Sequence, residues 1–291
     1  MGAHYTGAVM GMPYAIRAIS LRWALLLIAV FCVLGATFAS ERVQVTVGLH
    51  ILAPSQVSTL MALIVVAGAF LLTTLYTYWK VPTSTIQILV FCIVGTGSAA
   101  DAAIAWPTIA RLAVTWICAP LAAIGLGFAC TKLLHRLQSP AWGLVGVGIA
   151  ASFVLGANDV ANAVGVWRTL NIANPMEAGF AGGAAMALGA LTWGRRILHR
   201  VAFEIVDLDG ATATAAQGVQ ALVVVVAVTQ GLFTSMNQAL IGAMTGAAVA
   251  NQRPVNRRNL AGIVKGWLIS PVSGFLFGFA VYRAAEALGA R

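Results

Sequence analysis

Gly156-Ala157-Asn158-Asp159-Val160-Ala161-Asn162-Ala163-Val164-Gly165 is the stretch that decides how this chain folds. It lies inside an apolar run that begins near Ala141, yet it carries one carboxylate and two amides. An ionised side chain at membrane depth is costly, so Asp159 there needs a cation, a polar partner or water. Asn158 and Asn162 are four residues apart and share one helical face, and Asp159 stands about 100° round from Asn158. Gly156 and Gly165 bracket the patch, and the small residues between them permit close helix approach or local unwinding. Such a patch builds either an ion site at the midplane of a carrier or a polar clamp between packed helices.

The surroundings are oily. The chain has 291 residues, 60% hydrophobic and 9% charged, where soluble domains run at about 25% charged. Continuous apolar runs recur along its length, which predicts a polytopic helical membrane protein and argues against a β-barrel. The net charge of +9 is spread over short loops that hold Arg17, Arg22, Arg42, Arg136, Arg195, Arg196, Arg200, Arg253, Arg257 and Arg258. That pattern fits positive-inside loops and contact with anionic lipid, not nucleic acid. Cys32, Cys92, Cys118 and Cys130 fall in apolar segments without CxxC spacing and read as small buried apolar residues. Residues 1–15 lack the charged start and long apolar core of a cleavable signal peptide. No nucleophile–base pair, metal-ligand spacing or nucleotide loop points to an enzyme or a cofactor.

Ten apolar elements are expected, at 1–15, 21–40, 57–79, 82–98 and 105–133, then at 141–164, 176–194, 212–232, 233–250 and 259–287. The polar connector from Leu134 to Pro140 separates two halves, 1–134 and 141–291. The halves repeat. Gly35-Ala36 matches Gly189-Ala190, and Arg42 matches Arg196, at an offset of 154. Pro82-Thr83-Ser84-Thr85-Ile86-Gln87 matches Phe233-Thr234-Ser235-Met236-Asn237-Gln238 at an offset of 151. Trp116-Ile117-Cys118-Ala119-Pro120 matches Trp267-Leu268-Ile269-Ser270-Pro271 at that same offset. An odd number of elements per half turns the second copy over, which is the architecture of many secondary carriers. The expected fold is all-α, with two inverted repeats and re-entrant helical hairpins. Helix starts at Ser84 and Ser235 offer free N–H groups and a positive dipole end, which suit an oxyanion. Ser84, Thr85 and Gln87 would then pair with Ser235, Asn237 and Gln238 around one tetrahedral anion. The alternative is Ser/Thr back-bonding within the helix and Gln bonds between helices.

GANDVANAVG, an apolar run ending in Gly-Arg-Arg and a later S-x-x-Q helix start resemble the inorganic phosphate transporter family. That family includes sodium-coupled and proton-coupled phosphate carriers and related sulfate permeases. The resemblance spans nearly the whole chain. It implies a secondary transporter of phosphate or a similar oxyanion, coupled to Na⁺ or H⁺, multi-pass in the plasma membrane and homodimeric. It assigns Asn158, Asp159 and Asn162 to the cation, with Asp159 as the Na⁺ candidate. It assigns Ser84, Thr85 and Ser235, with Asn237, to the anion. A sulfate permease and a non-transporting paralogue acting as subunit or sensor are the competing expectations.

Three departures stand out. At offset 154 the first half reads Gly2-Ala3-His4-Tyr5-Thr6-Gly7-Ala8 in place of the signature, so Asp becomes Tyr5 and the first Asn becomes His4. A hard cation wants several oxygen ligands, so one strong cation site is expected to remain. His4 is a candidate proton carrier or a packing residue. The apolar run before the signature has no counterpart before Gly2, so the start lies upstream or the first element is trimmed. The anion segments carry Ile86, Gln87, Met236, Asn237 and Gln238 where hydroxyls or His are usual, which leaves the anion open between phosphate and sulfate. Lys80 lies near that site or in an aromatic belt with Tyr76, Tyr78 and Trp79. Asp101, Glu41, Glu204, Asp207 and Asp209 are expected in loops.

Overall fold

The computed structural model describes residues 2–79, 81–137, 141–204 and 209–289. Lys80, Asp207 and the side chains of His4 and Glu204 lie outside the described residues. The described residues are mostly helical, with a short 3-10 turn at Pro54–Gln56. In order come α1 (Gly2–Ala15), α2 (Leu21–Ala39), α3 (Glu41–Leu49), α4 (Thr59–Tyr78), α5 (Thr85–Ala99) and α6 (Trp106–Leu137). Then follow α7 (Ala141–Leu155), a π turn (Gly156–Val160), α8 (Ala161–Thr169), α9 (Pro175–Glu204), α10 (Gly210–Thr229), α11 (Met236–Ala250) and α12 (Arg257–Ala287). Six described helices are long and apolar enough to cross a bilayer: 21–39, 59–78, 106–136, 143–169, 210–229 and 260–287. The protein is a multi-pass membrane protein. By contrast α5 and α11 have 15 residues each. At 1.5 Å per residue that is about 22 Å, short of a ~30 Å hydrocarbon core. They suit hairpins that enter the membrane without crossing it.

The chain forms two compact units, and neither is a sequence half. The first takes residues 1–43, 114–161 and 175–255. In it α9 packs on α1 and α2, and α10 packs on α7 and α11. The second takes residues 44–113, 162–174 and 256–291, and in it α12 packs on α5 and α4. Both units bury amides and hydroxyls inside and turn apolar side chains outward. Trp23, Phe38, Ile117 and Phe180 are exposed in the first, and Leu63, Phe70, Leu268 and Val272 in the second. Exposed apolar side chains on a membrane-spanning helix are the faces that meet lipid.

The duplication is legible in the packing. Gly246 lies against the Ile124 carbonyl, where an added Cβ would stand 1.9 Å away; Gly95 lies against the Phe275 carbonyl, at 2.2 Å. Both partners of the first contact are the second's, shifted by 151 residues. Gly127 against Ala243 and Gly278 against Cys92 are a further pair with that shift. Each hairpin helix thus packs on the long final helix of the other sequence half, α11 on α6 and α5 on α12. This crossing-over is why the compact units cut across the halves.

Several expectations need correction. Helix α3 stands where a loop is expected: Glu41 opens it, and the apolar content that would announce it is thin. The loop expected at Arg195–Arg200 is helix, because α9 continues for 30 residues, about 45 Å. Of the cysteines, Cys32 and Cys92 are buried, but Cys118 is exposed and Cys130 half-buried. Their helix faces lipid there, so burial inside protein is not what makes them apolar-compatible.

Candidate transport site

The signature folds as a π turn, Gly156–Val160, between α7 and α8. Such i→i+5 turns interrupt α-helices mostly at functional sites. The wide turn alters the even angular step on which the sequence reading of Asn158 and Asn162 relies. Close approach makes it possible. An added Cβ on Gly156 would stand 2.0 Å from the Cys32 carbonyl oxygen and 2.7 Å from the Ala36 nitrogen, so only glycine lets the turn lie on α2.

Asn158, Asp159 and Asn162 are all fully buried. Asn158 uses both ends of its amide. Its Nδ2 donates to the Thr234 carbonyl at 2.8 Å and to Asp159 Oδ2 at 2.9 Å. Its Oδ1 accepts from the Thr234 N–H at 3.2 Å. Asn158 therefore clamps the π turn onto the extended segment that leads into α11. Asp159 also takes a hydrogen bond from the Tyr5 hydroxyl. Its Oδ1 has no hydrogen-bond partner among the described residues. A buried carboxylate oxygen with no donor is expensive, and it is where a cation would be held. Asn162 opens the second unit's share of this helix, on α8.

The start of α11 lies one residue beyond the clamp. Ser235 is the N-cap and accepts from the Gln238 N–H at 3.4 Å, and a hydroxyl that accepts there still has a proton to donate. Ser235 and Gln238 are buried, and Asn237 is half-buried. Thr234 is fully buried, and its hydroxyl has no hydrogen-bond partner among the described residues. Trp116 Nε1 donates to the Phe233 carbonyl at 3.0 Å and packs its ring on Phe233. Gln220 Nε2 donates to the Met236 carbonyl at 3.2 Å, and Gln217 donates to the Val9 carbonyl. Segment 233–238 is thus held by side chains from α6, the π turn and α10.

The second unit repeats the motif at α5. Ser84 caps it, accepting from the Gln87 N–H at 3.5 Å, and the Ser84 N–H donates to Ser270 Oγ at 2.9 Å. Ser84, Thr85 and Gln87 are buried, and Gln87 Oε1 has no partner among the described residues. The repeat mate of Ser270 is Ala119, so the two helix starts are not supported alike.

Within the first unit the fold brings Asn158 and Asp159 together with the start of α11. Sequence reasoning missed Tyr5, Thr234, Gln217, Gln220 and Trp116. Two amides three apart in the mostly apolar α10 are a readable signal; the Tyr5 contact has none.

These features have counterparts in known proteins. The phosphate transporter family model matches residues 1–144 and, a second time, residues 138–278. The chain is 28% identical over 286 residues to the sulfate permease CysP of Bacillus subtilis, covering 93% of this chain and 80% of that one. Its fold superposes on the solved structure titled the sodium-dependent phosphate transporter with a TM-score of 0.88, at 21% identity, covering 98% of this chain and 95% of that chain. A double match to one family over nearly the whole chain agrees with the helical polytopic fold: the chain belongs to the phosphate transporter family.

Proposed function

We infer that the protein is a secondary active carrier that couples entry of a cation at Asp159 to binding of a tetrahedral oxyanion, phosphate or sulfate. One observation carries this reading. The carboxylate, whose Oδ1 has no hydrogen-bond partner among the described residues, and the backbone leading into α11 are gripped by the same amide, that of Asn158. A cation that pulls on Asp159 shifts Asn158, and with it the donors at Thr234, Ser235, Asn237 and Gln238. Those donors, with the positive end of α11, take the oxyanion. At the start of α5 in the second unit Ser84 and Gln87 repeat Ser235 and Gln238, with Thr85 as a further donor, and Asn162 is the third polar residue of the signature. The two repeats are taken as 1–134 and 141–291, and Na⁺ or H⁺ is the coupling ion.

Sulfate has its own support. The relative from Bacillus subtilis is named a sulfate permease. Buried hydroxyl and amide donors can also serve a dianion that carries no proton of its own.

The test is uptake of labelled phosphate and labelled sulfate into proteoliposomes, with and without Na⁺ and pH gradients, each anion competing against the other. Gradient-dependent uptake that Asp159→Asn abolishes supports the reading. Uptake with unchanged gradient dependence in that variant refutes the cation site. Anion binding without flux would instead mark a subunit or sensor.

A further inference from the structure

The two repeats meet at the signature in a way the sequence alone does not reveal. Gly2 of α1 lies on α9, where an added Cβ would meet the Met186 carbonyl oxygen and the Ala190 nitrogen. Gly156 lies on α2, where it would meet the Cys32 carbonyl oxygen and the Ala36 nitrogen. All three pairs of positions, 2 and 156, 32 and 186, 36 and 190, differ by 154. Residues 2–5 are therefore the structural counterpart of 156–159, and Tyr5 is the counterpart of Asp159. Tyr5 is 1% exposed and among the largest fully buried side chains. Its hydroxyl reaches across and hydrogen bonds to the carboxylate of its own repeat mate.

A second carboxylate at position 5 would bring a second negative charge into the same buried place, and that charge would need its own cation. A phenol brings none. It is a neutral donor and acceptor. Together with Asn158 Nδ2 on Oδ2 it helps hold the Asp159 carboxylate, whose Oδ1 has no hydrogen-bond partner among the described residues.

We propose that Tyr5 limits this carrier to one Na⁺ per cycle: its hydroxyl orients Asp159 for a single monovalent cation at Oδ1, and its ring fills the place of a second acidic ligand. The proposal rests on the reading of Asp159 as the coupling-cation ligand. Tyr5 is a positioning residue, and it acts on the cation through Asp159.

The test has two readouts on the purified, reconstituted protein: equilibrium binding of labelled Na⁺, and Na⁺ activation of labelled phosphate and sulfate uptake. The wild type binds one Na⁺ per chain and activates with a Hill coefficient of about 1, because the coefficient cannot exceed the number of sites. Tyr5→Phe keeps the ring and loses only a charge-assisted hydrogen bond. Its half-saturating Na⁺ rises about tenfold, equivalent to about 1.4 kcal/mol, while the maximal rate and the anion KM at saturating Na⁺ stay within about twofold. A merely structural role would lower the maximal rate instead. Tyr5→Asp restores the second carboxylate, and its activation turns sigmoidal, with two Na⁺ bound per chain.

Wild-type binding of two Na⁺, absence of saturable Na⁺ binding, or unchanged half-saturating Na⁺ in Tyr5→Phe overturns the proposal. Asp159→Asn separates the levels. If that variant keeps wild-type Na⁺ dependence, the cation site itself is wrong and this inference falls with it. If it loses Na⁺ dependence while Tyr5→Phe behaves as wild type, only the role of Tyr5 is wrong.

Discussion

Replacing Asn158 is the sharpest test of the clamp. The side chain is fully buried; it donates to the Thr234 carbonyl and to Asp159 Oδ2 and accepts from the Thr234 N–H, three bonds among the described contacts. Asn158→Ala removes all three and leaves the Thr234 N–H, the Thr234 carbonyl and the carboxylate each short of a partner. An orphaned buried polar group costs about 1–3 kcal/mol, more when charged. Part of that is recovered by relaxation and water, so the expected loss is about 3–5 kcal/mol. A chain of this size shifts its Tm by about 2 °C per kcal/mol, so the melting temperature in detergent should fall by about 6–10 °C.

Asn158→Asp sharpens the prediction. It keeps an oxygen for the Thr234 N–H but places a second carboxylate against Asp159 Oδ2 and faces the Thr234 carbonyl with an acceptor. In Na⁺-free buffer at neutral pH it should melt below Asn158→Ala, and added Na⁺ should recover part of the difference. Melting can be followed by intrinsic tryptophan fluorescence, with one scan rate throughout because unfolding in detergent is governed by rate. The clamp is refuted if Asn158→Ala melts within about 2 °C of wild type, a shift worth roughly 1 kcal/mol on that scale, or if Asn158→Asp is the more stable of the two without Na⁺.

Three further outcomes follow from other parts of the fold. Gly156→Ala should lower the melting temperature sharply, because its Cβ would lie 2.0 Å from the Cys32 oxygen and overpacking costs about 1–3 kcal/mol or more; Gly146→Ala, with nothing within 4 Å, should be neutral or gain the ~0.5–1 kcal/mol that helical alanine holds over glycine. Ser270→Ala should cost about 1–3 kcal/mol, read in the same melts, since the buried Ser84 N–H loses its acceptor at 2.9 Å; Ala119→Ser, at the repeat-related position, should not mimic the loss. Asp209 caps α10, accepting from the Thr212 N–H at 2.9 Å and from its hydroxyl at 2.7 Å, with His135 3.6 Å away. Partial burial raises its carboxyl, but the Thr212 bonds and the nearby His135 outweigh that and leave it below the usual carboxylate value. A carboxyl lowered in the folded state contributes stability that is whole above about pH 4, the unfolded value, and fades as pH falls through the folded one. Asp209→Asn should therefore flatten the acid limb of a melting-temperature profile; an unchanged limb would remove Asp209 from the account.

About half of the candidate site is legible in the sequence. Asp159 and its two amides stand out because nothing else in that run is polar, and Ser84 and Ser235 stand out because the offset of 151 pairs them. Which lone pairs and donors are already engaged is hidden there. Asn158 reads as a ligand from its spacing, yet both ends of its amide are committed to a backbone 76 residues away. Tyr5 reads as a lost signature residue, and only the packing of α1 on α9 turns its hydroxyl to Asp159.

Composition and register by themselves determine that this is an all-helical, multi-pass membrane protein built twice, with one signature intact and one replaced. Those properties are linear: the length of an apolar run is measured along the chain, and a duplication survives as a constant offset. The tertiary structure alone decides that the signature widens into a π turn against α2, that compact units cut across the repeats, and that Asp159 Oδ1 finds no hydrogen-bond partner among the described residues. These depend on contacts between segments far apart in the chain, such as the Asn158 amide on the Thr234 carbonyl at 2.8 Å and Gly156 against the Cys32 carbonyl, and such partnership leaves no trace in periodicity.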